Sequence, residues 1–224
     1  MPRGAVSALA GADLPALGEE EFGRRLTDIS PATLEPPALR RLHRHYEELR
    51  RWNRSLSLVG RGEGGRILER HYAESLAALP LLGHRRRLVD LGSGAGFPGF
   101  ILAAARPALE VTLVEARQRK WAFLMAAARH AGLSLDVLDA RVGPVLPARF
   151  PDRVEILTSR AVKLTPELVA LLRPRFAPDA LLLAWTGGTG PGALPGIELA
   201  GEVPLSGKSR RIRILRPLTA GDRE

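Results

Sequence analysis

The chain has 224 residues, a formal net charge of +9 and no cysteine. Its length suits one sizeable hydrophobic core with a small appended segment, and the lack of cysteine excludes disulfides and thiolate metal sites. All but three of the 33 basic residues are arginine, whose planar donor fork matches phosphate. A nucleic-acid partner is one interpretation of this charge, and scattered solvated arginines are the other.

The sequence also argues against a metal site and a membrane segment. Its five histidines do not follow a metal-ligand spacing, and no apolar run approaches the ~18 residues of a membrane helix. The start of the chain lacks the apolar stretch of a signal peptide. We therefore expect a cytoplasmic protein without a metal ion, and we expect residues 1–14 to form a loose tail.

Helical periodicity dominates the first third of the chain. Residues 19–29 predict a short amphipathic helix, and a second helix begins at Pro36 and Pro37, since proline fits a first helical turn. A third helix is predicted over residues 65–79, where His71 is either packed scaffold or a site residue. Arginines off the apolar stripe of the second helix form a solvated face or a phosphate-facing one: Arg40, Arg41, Arg44, Arg50, Arg51 and Arg54.

The central feature of the sequence is a glycine-rich turn between two predicted strands. Val89 and Leu91 lie in a short apolar run typical of a buried strand, which is followed by Gly92, Gly94 and Gly96. Glycine adopts positive φ and lets the backbone approach a ligand closely, and Pro98 fits the first turn of the next helix. The second strand, residues 110–114, ends in Glu115, whose carboxylate can accept both hydroxyls of a ribose.

This strand–turn–helix–strand pattern is typical of an adenosine-binding half-site, and two cofactor classes share it. Gly94-x-Gly96-x-x-Gly99, with an acidic residue about 20 positions further on, satisfies the dinucleotide fingerprint. Asp90-x-Gly92-x-Gly94-x-Gly96 looks like motif I of class I S-adenosylmethionine methyltransferases. Asp90 favours the methyltransferase, because a carboxylate suits the cationic amino and sulfonium groups of that cofactor better than a pyrophosphate. A purely structural glycine turn is a third interpretation.

Strand and helix signals alternate after the turn and predict a mainly parallel sheet in one α/β domain. The predicted helices are residues 99–105, 117–132 and 165–175, and the further strands are residues 135–140, 154–158, 180–185, 202–205 and 212–215. Residues 189–201 are rich in Gly and Pro and predict a loop. The last two strands are expected to close the sheet as an antiparallel pair with a basic edge formed by Arg211, Arg213 and Arg216.

Arg160 follows the fourth predicted strand directly. Ligands in open α/β sheets bind at the carboxyl ends of the strands near the topological switch, so Arg160 is expected to face the reaction centre. The alternative is that it caps the strand end or pairs with Glu115. In this fold the loop after the third strand, which contains Arg141, Val142 and Gly143, borders the adenine.

Several of these segments together resemble the RsmG family, also called glucose-inhibited division protein B, which methylates N7 of a guanine in small-subunit (16S) ribosomal RNA. The most specific match is VDLGSGAGFPG at residues 89–99, because its Pro-Gly ending is unusual among methyltransferases. Other matches follow in the right order and spacing: Arg51-Trp52-Asn53, Leu58, Arg70-His71, Glu74-Ser75, Arg106-Pro107, Glu115, Lys120, Phe123-Leu124, Arg141-Val142 and Ser159-Arg160-Ala161. The resemblance covers residues 40–185.

The resemblance implies a Rossmann-like class I methyltransferase fold over residues 85–224, with residues 1–84 as an N-terminal helical extension packed on it. It implies S-adenosylmethionine as the cofactor, and small-subunit ribosomal RNA or the small subunit itself as the partner. Methyl transfer to guanine N7 requires no general base, because this nitrogen has an exposed lone pair and no proton.

The resemblance also indicates site residues. The expected cofactor-binding residues are Asp90, Gly92, Gly94, Gly96, Phe97, Glu115, Val142, Gly143 and Arg160. Arg160 is expected near the target base as well, as the catalytic residue with a positioning role. We expect substrate contacts from His71, Arg141, Arg51, Arg54 and Lys120.

The chain departs from the family pattern at three places. Thr186 stands where the family has the lysine of an Ala-Leu-Lys-Gly segment, Ser57 replaces the second Asn after Trp52, and the C-terminal Gly-Glu-Arg is only echoed by residues 207–210. Three alternatives stay open: a class I methyltransferase acting on another RNA or a small molecule, a dinucleotide-binding oxidoreductase, and a ribosome-binding module with a decayed site.

Overall fold

Seven β-strands form one sheet within the residues that the computed structural model describes, 13–187, 194–207 and 209–218. Numbered along the chain, they are β1 (Arg87–Leu91), β2 (Glu110–Glu115), β3 (Asp136–Asp139), β4 (Val154–Ser159), β5 (Phe176–Gly187), β6 (Ile197–Pro204) and β7 (Arg210–Pro217). Their order across the sheet is β3-β2-β1-β4-β5-β7-β6. Most of the predicted tail, part of the predicted loop 189–201 and Lys208 lie outside the described residues.

The first five strands are parallel, and β7 pairs antiparallel with both β5 and β6. The strand order reverses at β1, which pairs with β2 on one side and β4 on the other, so that Asp90 lies opposite both Leu113 and Thr158. A ligand site is expected at the carboxyl ends of the strands beside such a reversal. The glycine turn that follows β1 therefore lies at the topological switch point.

The six α-helices of the described residues are α1 (Glu19–Ile29), α2 (Pro36–Asn53), α3 (Glu74–Leu76), α4 (Gly99–Ala105), α5 (Gln118–Ala131) and α6 (Pro166–Leu172). Helix α1 has three glutamates in its first turn, where a negative charge stabilises the helix dipole, and it buries Phe22 and Leu26. Thr165 caps α6 by accepting a hydrogen bond from the Leu168 amide at 3.3 Å, as the sequence predicts. This predicted helix ends early, and Arg173–Arg175 continues as a 3₁₀ turn.

The predicted helix over residues 65–79 is wrong as a continuous α-helix. Gly64–Arg66 and Leu79–Leu82 are 3₁₀ turns, and Leu68–Ala73 is a π-helix that leads into the short α3. The hydroxyl of Ser75 donates to the carbonyl oxygen of His71 at 2.6 Å, a local bond that competes with regular helical bonding. Apolar spacing does not register such bonds, so periodicity alone predicted a single helix.

One hydrophobic core joins the N-terminal helices to the sheet. It contains Phe22 and Leu42 from the helical segment together with Phe100 and Leu113 from the α/β part. The guanidinium Nε of Arg41 on α2 donates to the Ala104 carbonyl at the end of α4 at 2.8 Å. A second core covers the other face of the sheet and contains buried residues of six strands, among them Val89, Val114, Leu138, Leu157, Leu182 and Leu215.

The end of the chain requires two corrections. Strand β6 begins at Ile197, within the predicted loop, because its backbone is paired with β7 from Ile197 opposite Pro217 onward. The predicted basic edge is wrong, since β7, which carries Arg211, Arg213 and Arg216, lies between β5 and β6 rather than at the edge. Strand pairing over long sequence distances overrides local composition here.

Candidate functional site

The turn after β1 adopts a conformation that favours glycine. Gly92, Gly94 and Gly96 have φ angles of +68°, +58° and +86°, which are strained for residues with a Cβ. The amides of Gly92 and Ser93 both donate to the carbonyl oxygen of Val114, at 2.9 and 3.1 Å. A Cβ on Gly92 would lie 2.6 Å from Cγ2 of Val162. The turn therefore crosses tightly from β1 over the end of β2.

Glu115 is fixed beside this turn at the last position of β2. Its Oε2 accepts a hydrogen bond from the amide of Gly94 and its Oε1 one from the amide of Arg117, both at 2.8 Å. The residue is buried, at 6% exposure. Each carboxylate oxygen can accept about two hydrogen bonds, so both retain acceptor capacity for a ligand such as a ribose diol.

A cavity of about 480 Å³ opens between the glycine turn and the ends of β2 and β3. Six of the predicted site residues line it: Gly92, Gly94, Glu115, Lys120, Arg141 and Val142. A Cβ on Gly94 would lie 3.9 Å from Nζ of Lys120, an ordinary contact, so the positive φ rather than a lack of space favours glycine here. Apolar walls, a fixed carboxylate and a bare peptide turn fit the nucleoside part of an adenosyl cofactor.

Lys120, which the sequence predicts among the substrate contacts, lines this cavity together with Glu115. Burial lowers the pKa of its ammonium group, while the nearby Glu115 raises it. Arg141 and Arg117 line the same cavity. The cavity is thus lined by one carboxylate and three basic side chains.

Asp90 lies beneath the turn and has no exposed surface. Its Oδ1 accepts from the hydroxyl of Thr158 at 2.6 Å and its Oδ2 from the amide of Gly99 at 3.3 Å. Burial raises the pKa of this carboxyl group to about 6, although both hydrogen bonds lower it. Asp90 therefore links β1 to β4 and to the start of α4 by hydrogen bonds. When it is ionised, its carboxylate places a negative charge beneath the glycine turn.

Three other predicted cofactor residues, Gly96, Phe97 and Gly143, do not line the cavity. A Cβ on Gly96 would lie 2.8 Å from Cβ of Phe100, so this glycine permits close packing of the turn on α4. Phe97 is buried against His71, with ring centroids 4.9 Å apart. Their predicted roles in cofactor binding stay predictions.

Arg160 pairs with Glu74 and not with Glu115, so the alternative of a pair with Glu115 is wrong, and the prediction that Arg160 faces the reaction centre stays a prediction. Its Nη2 donates to the carbonyl oxygen of Arg70 at 2.6 Å and approaches Oε2 of Glu74 at 3.4 Å. Burial lowers the pKa of its guanidinium, whereas Glu74 raises it. Arg160 lines a neighbouring cavity of about 280 Å³ with Trp185 and Thr186. This second cavity shares Ala161 and Val162 with the cavity beside the glycine turn, so the two are adjacent. After the roles that we propose for them below, we call the cavity beside the turn the cofactor cavity and the Arg160 cavity the base-side cavity.

The remaining predicted substrate residues lie outside both cavities. Burial, followed by the charges of Arg160 and Arg70, lowers the pKa of His71 to about 3, so its imidazole is neutral at physiological pH. Arg51 is exposed on α2 and pairs with Glu48 at 3.0 Å, and Arg54 is exposed where α2 ends. The two cavities therefore do not test the predicted contacts of these residues with a substrate.

Sequence reasoning missed three residues that shape the turn: Val162, Thr158 and His45. Val162 lies against Gly92, and Thr158 holds Asp90. Both occur where β4 ends, so the rule that sites lie at carboxyl ends of strands could have found them. His45 donates from Nε2 toward the carbonyl oxygen of Ala95 at 2.9 Å, and no local sequence signal indicates this contact.

Another cavity, of about 320 Å³, lies at the amino ends of the strands between Arg87, Glu110 and Asp136. It lies at the opposite ends of the strands from the glycine turn, so we assign the functional site to the carboxyl ends of the strands. Within the described ranges, no three His, Cys, Asp or Glu side chains are grouped to hold a metal ion. Among the described helices, none has both the length and the hydrophobicity of a bilayer-spanning segment.

Comparison with known proteins identifies a family and sequence relatives of this chain. Residues 38–189 match the GidB family, described as rRNA small subunit methyltransferase G. A ribosomal RNA small subunit methyltransferase G from Anaeromyxobacter sp. (strain Fw109-5) is 38% identical over 190 residues, covering 79% of this chain and 87% of the relative. The protein of the same name from Hyphomonas neptunium is 40% identical over 147 residues, covering 66% and 67%.

Solved structures share the fold at low sequence identity. A SAM dependent methyltransferase from Aquifex aeolicus superposes with a TM-score of 0.55 at 17% identity, covering 68% of this chain and 93% of that one. A mutant of MtNAS, solved in complex with S-adenosylmethionine, has a TM-score of 0.54 at 16% identity, covering 90% and 78%. The predicted α/β, Rossmann-like class I fold is confirmed.

Proposed function

The chain belongs to the rRNA small subunit methyltransferase G family, and on that premise we propose that it transfers a methyl group from S-adenosylmethionine to N7 of a guanine in 16S ribosomal RNA. The observation that carries the proposal is the pairing of Glu115 with the amide of Gly94 at 2.8 Å over an open cavity. Family membership favours the methyltransferase over the dinucleotide enzyme, which the glycine spacing left open.

The cofactor part of the proposal rests on the cavity beside the glycine turn. We propose that Glu115 accepts the ribose hydroxyls, that Gly92 and Gly94 lie under the methionine part, and that Val142 borders the adenine. Asp90 supplies a negative charge behind the turn, which favours a cationic ligand. Gly96 and Phe97 act indirectly, because they pack the turn against α4 and His71, and Gly143 belongs to the adenine loop.

The chemistry requires alignment rather than proton transfer. When bound, S-adenosylmethionine supplies an electrophilic methyl group on a sulfonium sulfur. Guanine N7 already has a lone pair in the plane of the base, so no residue of this chain has to remove a proton. Holding the two reacting atoms in line is worth several kcal/mol, about 7 to 11 in well-oriented systems.

We propose that Arg160 and its neighbours hold the RNA so that guanine N7 is aligned with the methyl group. Arg160 is the catalytic residue of the proposal in the sense that it positions the base in the base-side cavity, next to the cofactor cavity. Arg141 and Lys120, which line the cofactor cavity, and Arg51 and Arg54 at the end of α2 are proposed to meet the RNA backbone, as phosphate contacts set register and orientation. His71 orients Phe97 as a neutral ring.

The small subunit as the partner, a cytoplasmic location, and the division into an extension (residues 1–84) and a methyltransferase domain (residues 85–224) belong to the same proposal. The shared core of α2, α4 and the sheet supports an extension that is packed on the domain. An RNA partner suits the net charge of +9, because a basic protein attracts the phosphate backbone.

The decisive experiment supplies small ribosomal subunits, or their naked RNA, from cells that lack this gene. Purified protein and S-adenosylmethionine carrying a labelled methyl group are added, and modified nucleosides are identified by mass spectrometry. We expect one 7-methylguanosine per RNA. Label in another nucleoside, or no label despite cofactor binding, would reject the guanine-N7 assignment, and the second result would favour the decayed ribosome-binding module.

The Arg160→Ala variant tests the site itself. We expect methyl transfer to fall by at least about 100-fold, since misplacing the reacting atoms has that scale of effect. Unchanged methylation and unchanged cofactor binding would remove Arg160 from the site. Lys163→Ala is a matched control, because Lys163 lines the same base-side cavity without belonging to the predicted site.

A further inference from the structure

Three arginines surround one buried carboxylate at the edge of the base-side cavity. The side chain of Glu74 is only 2% exposed, and its Oε2 accepts a hydrogen bond from Nη2 of Arg210 and lies 3.4 Å from Nη2 of Arg160. Its Oε1 lies 3.7 Å from Nε of Arg70 and accepts from the hydroxyl of Ser206 at 3.1 Å. We call Glu74, Arg70, Arg160 and Arg210 the Glu74 cluster.

The charges of the Glu74 cluster do not balance. Arginine stays protonated at all physiological pH values, so three positive charges face one carboxylate whose own pKa is raised by burial. Two further acids act on the cluster from outside it: Glu63, about one-third exposed, lies 4.0 Å from Arg70, and the buried Asp90 raises the pKa of Arg160. Incomplete compensation of charges in a largely buried site is unfavourable. A negatively charged ligand would remove much of this cost.

The same arginines have N–H groups without a hydrogen-bond partner. Among the described residues, Nε of Arg70, Nη1 of Arg160, Nη1 of Arg210 and the hydroxyl of Thr186 are buried and form no hydrogen bond. Groups of this kind are rare in folded proteins and require an explanation. Arg160, Arg210 and Thr186 line one small cavity of about 140 Å³ together with Trp185, Gly187 and Leu205.

Three cavities lie next to one another along the carboxyl ends of the strands. The small cavity shares Arg160, Trp185, Thr186 and Gly187 with the base-side cavity. The base-side cavity in turn borders the cofactor cavity through Ala161 and Val162. The small cavity lies on the far side of the base-side cavity from the cofactor cavity, so a nucleotide with its base in the middle cavity could place its phosphate there.

We propose, on the basis of the proposed function, that the Glu74 cluster and Thr186 bind one phosphate group of the substrate RNA. Nη1 of Arg160 and Nη1 of Arg210 donate to two phosphate oxygens, and the Thr186 hydroxyl donates to one of them. A phosphate offers several strong acceptors to converging guanidinium groups. Glu74 keeps the arginines in place and, by its charge, limits how tightly the phosphate is held.

The test measures binding of in vitro transcribed small-subunit RNA at several salt concentrations, with S-adenosylhomocysteine titrated separately by calorimetry. Arg210→Gln is expected to weaken RNA binding about 10-fold, the scale of one hydrogen bond to a charged group. The slope of log Kd against log salt should decrease by about 0.7 to 0.9, the contribution of one phosphate contact. Affinity for S-adenosylhomocysteine should stay unchanged.

Arg211→Gln is the matched control, since Arg211 is the next residue of β7 but pairs with Glu202 at 2.8 Å. Equal loss of RNA affinity in both variants would reject the phosphate site in favour of general surface charge. Weaker S-adenosylhomocysteine binding with unchanged RNA binding would assign the Glu74 cluster to the cofactor. Both measurements are independent of methyl transfer, so a failure of the proposed reaction is distinguishable from a failure of this site.

Glu74→Gln should change RNA affinity in the opposite direction from Arg210→Gln. It removes the competing negative charge while keeping an acceptor oxygen for the arginines, so RNA should bind more tightly than to the wild type. A purely structural Glu74 cluster predicts lower stability without any gain in RNA affinity. If this variant does not fold, Arg210→Gln still decides the proposal.

Discussion

Nε2 of His45 on α2 lies 2.9 Å from the carbonyl oxygen of Ala95 in the glycine turn. A carbonyl only accepts, so Nε2 carries the proton and Nδ1 accepts from the hydroxyl of Tyr72 at 2.7 Å. His45 and Tyr72 are both fully buried. The conformation of the turn is thus fixed from the N-terminal helices as well as from the sheet.

His45→Phe should therefore weaken cofactor binding. The substitution leaves the Ala95 carbonyl and the Tyr72 hydroxyl without a buried partner, which costs about 1 to 3 kcal/mol for each group and loosens the turn. We expect the Kd for S-adenosylhomocysteine to rise about 10-fold in calorimetry. His43→Phe is the control, because His43 is buried on the same helix but bonds the Leu17 carbonyl. Equal losses in both variants would contradict a specific effect on the turn.

His45 should also make the fold sensitive to acid. Burial lowers its pKa from 6.5 to about 4, although the bond to Ala95 raises it. Between these two values the unfolded chain binds a proton that the folded protein excludes, so the free energy of unfolding falls as the pH falls from 6.5 toward 4. The loss in this window amounts to about 3 kcal/mol for this group.

Urea unfolding at about pH 7 and about pH 4.5 measures this effect. Asp90, whose pKa is raised to about 6, contributes with the opposite sign, so the wild type has to be compared with His45→Phe. The stability difference between these two proteins should narrow by about 2 to 3 kcal/mol at the lower pH. A difference that does not depend on pH would show that His45 is not neutral in the fold.

Gly99→Ala should destabilise the protein, because Gly99, the first residue of α4, packs directly against Asp90. The added Cβ would lie 2.5 Å from Cβ of Asp90 and 2.8 Å from Cδ2 of Leu113. Overpacking of this kind costs about 1 to 3 kcal/mol, which thermal and urea unfolding would detect. Gly65→Ala, with no atom within 4 Å of the new Cβ, should change stability by less than about 0.5 kcal/mol. Equal effects would contradict a close approach at Gly99.

Glu115→Gln should weaken S-adenosylhomocysteine binding at least about 10-fold, the scale of hydrogen bonds to a charged group. The new amide group would also point an N–H toward the amide of Gly94 or of Arg117, each of which now donates to a carboxylate oxygen. Glu110→Gln tests the opposite end of β2, where Glu110 is exposed and pairs with Arg87. Retained affinity in Glu115→Gln would exclude Glu115 as the ribose ligand.

The first half of the site follows from local sequence signals. The alternation of apolar strands, a Gly-x-Gly-x-Gly turn and a terminal acid is encoded within about thirty consecutive residues of a β-α-β unit, and Glu115 indeed lies beside Gly94. The same signals did not indicate which way Asp90 points. Its direction depends on Thr158, a neighbour that only the pairing of β1 with β4 provides.

The sequence alone determined the α/β class, the position of the turn and the acid at the end of β2, because φ preferences and apolar periodicity act between near neighbours. Tertiary structure decided the partner of Arg160, since Glu74 reaches it from the first residue of α3, and Arg210 of β7 pairs with the same carboxylate. Pairing of a buried charge depends on which distant side chains share its low-dielectric environment. The local pattern of residues does not contain that information.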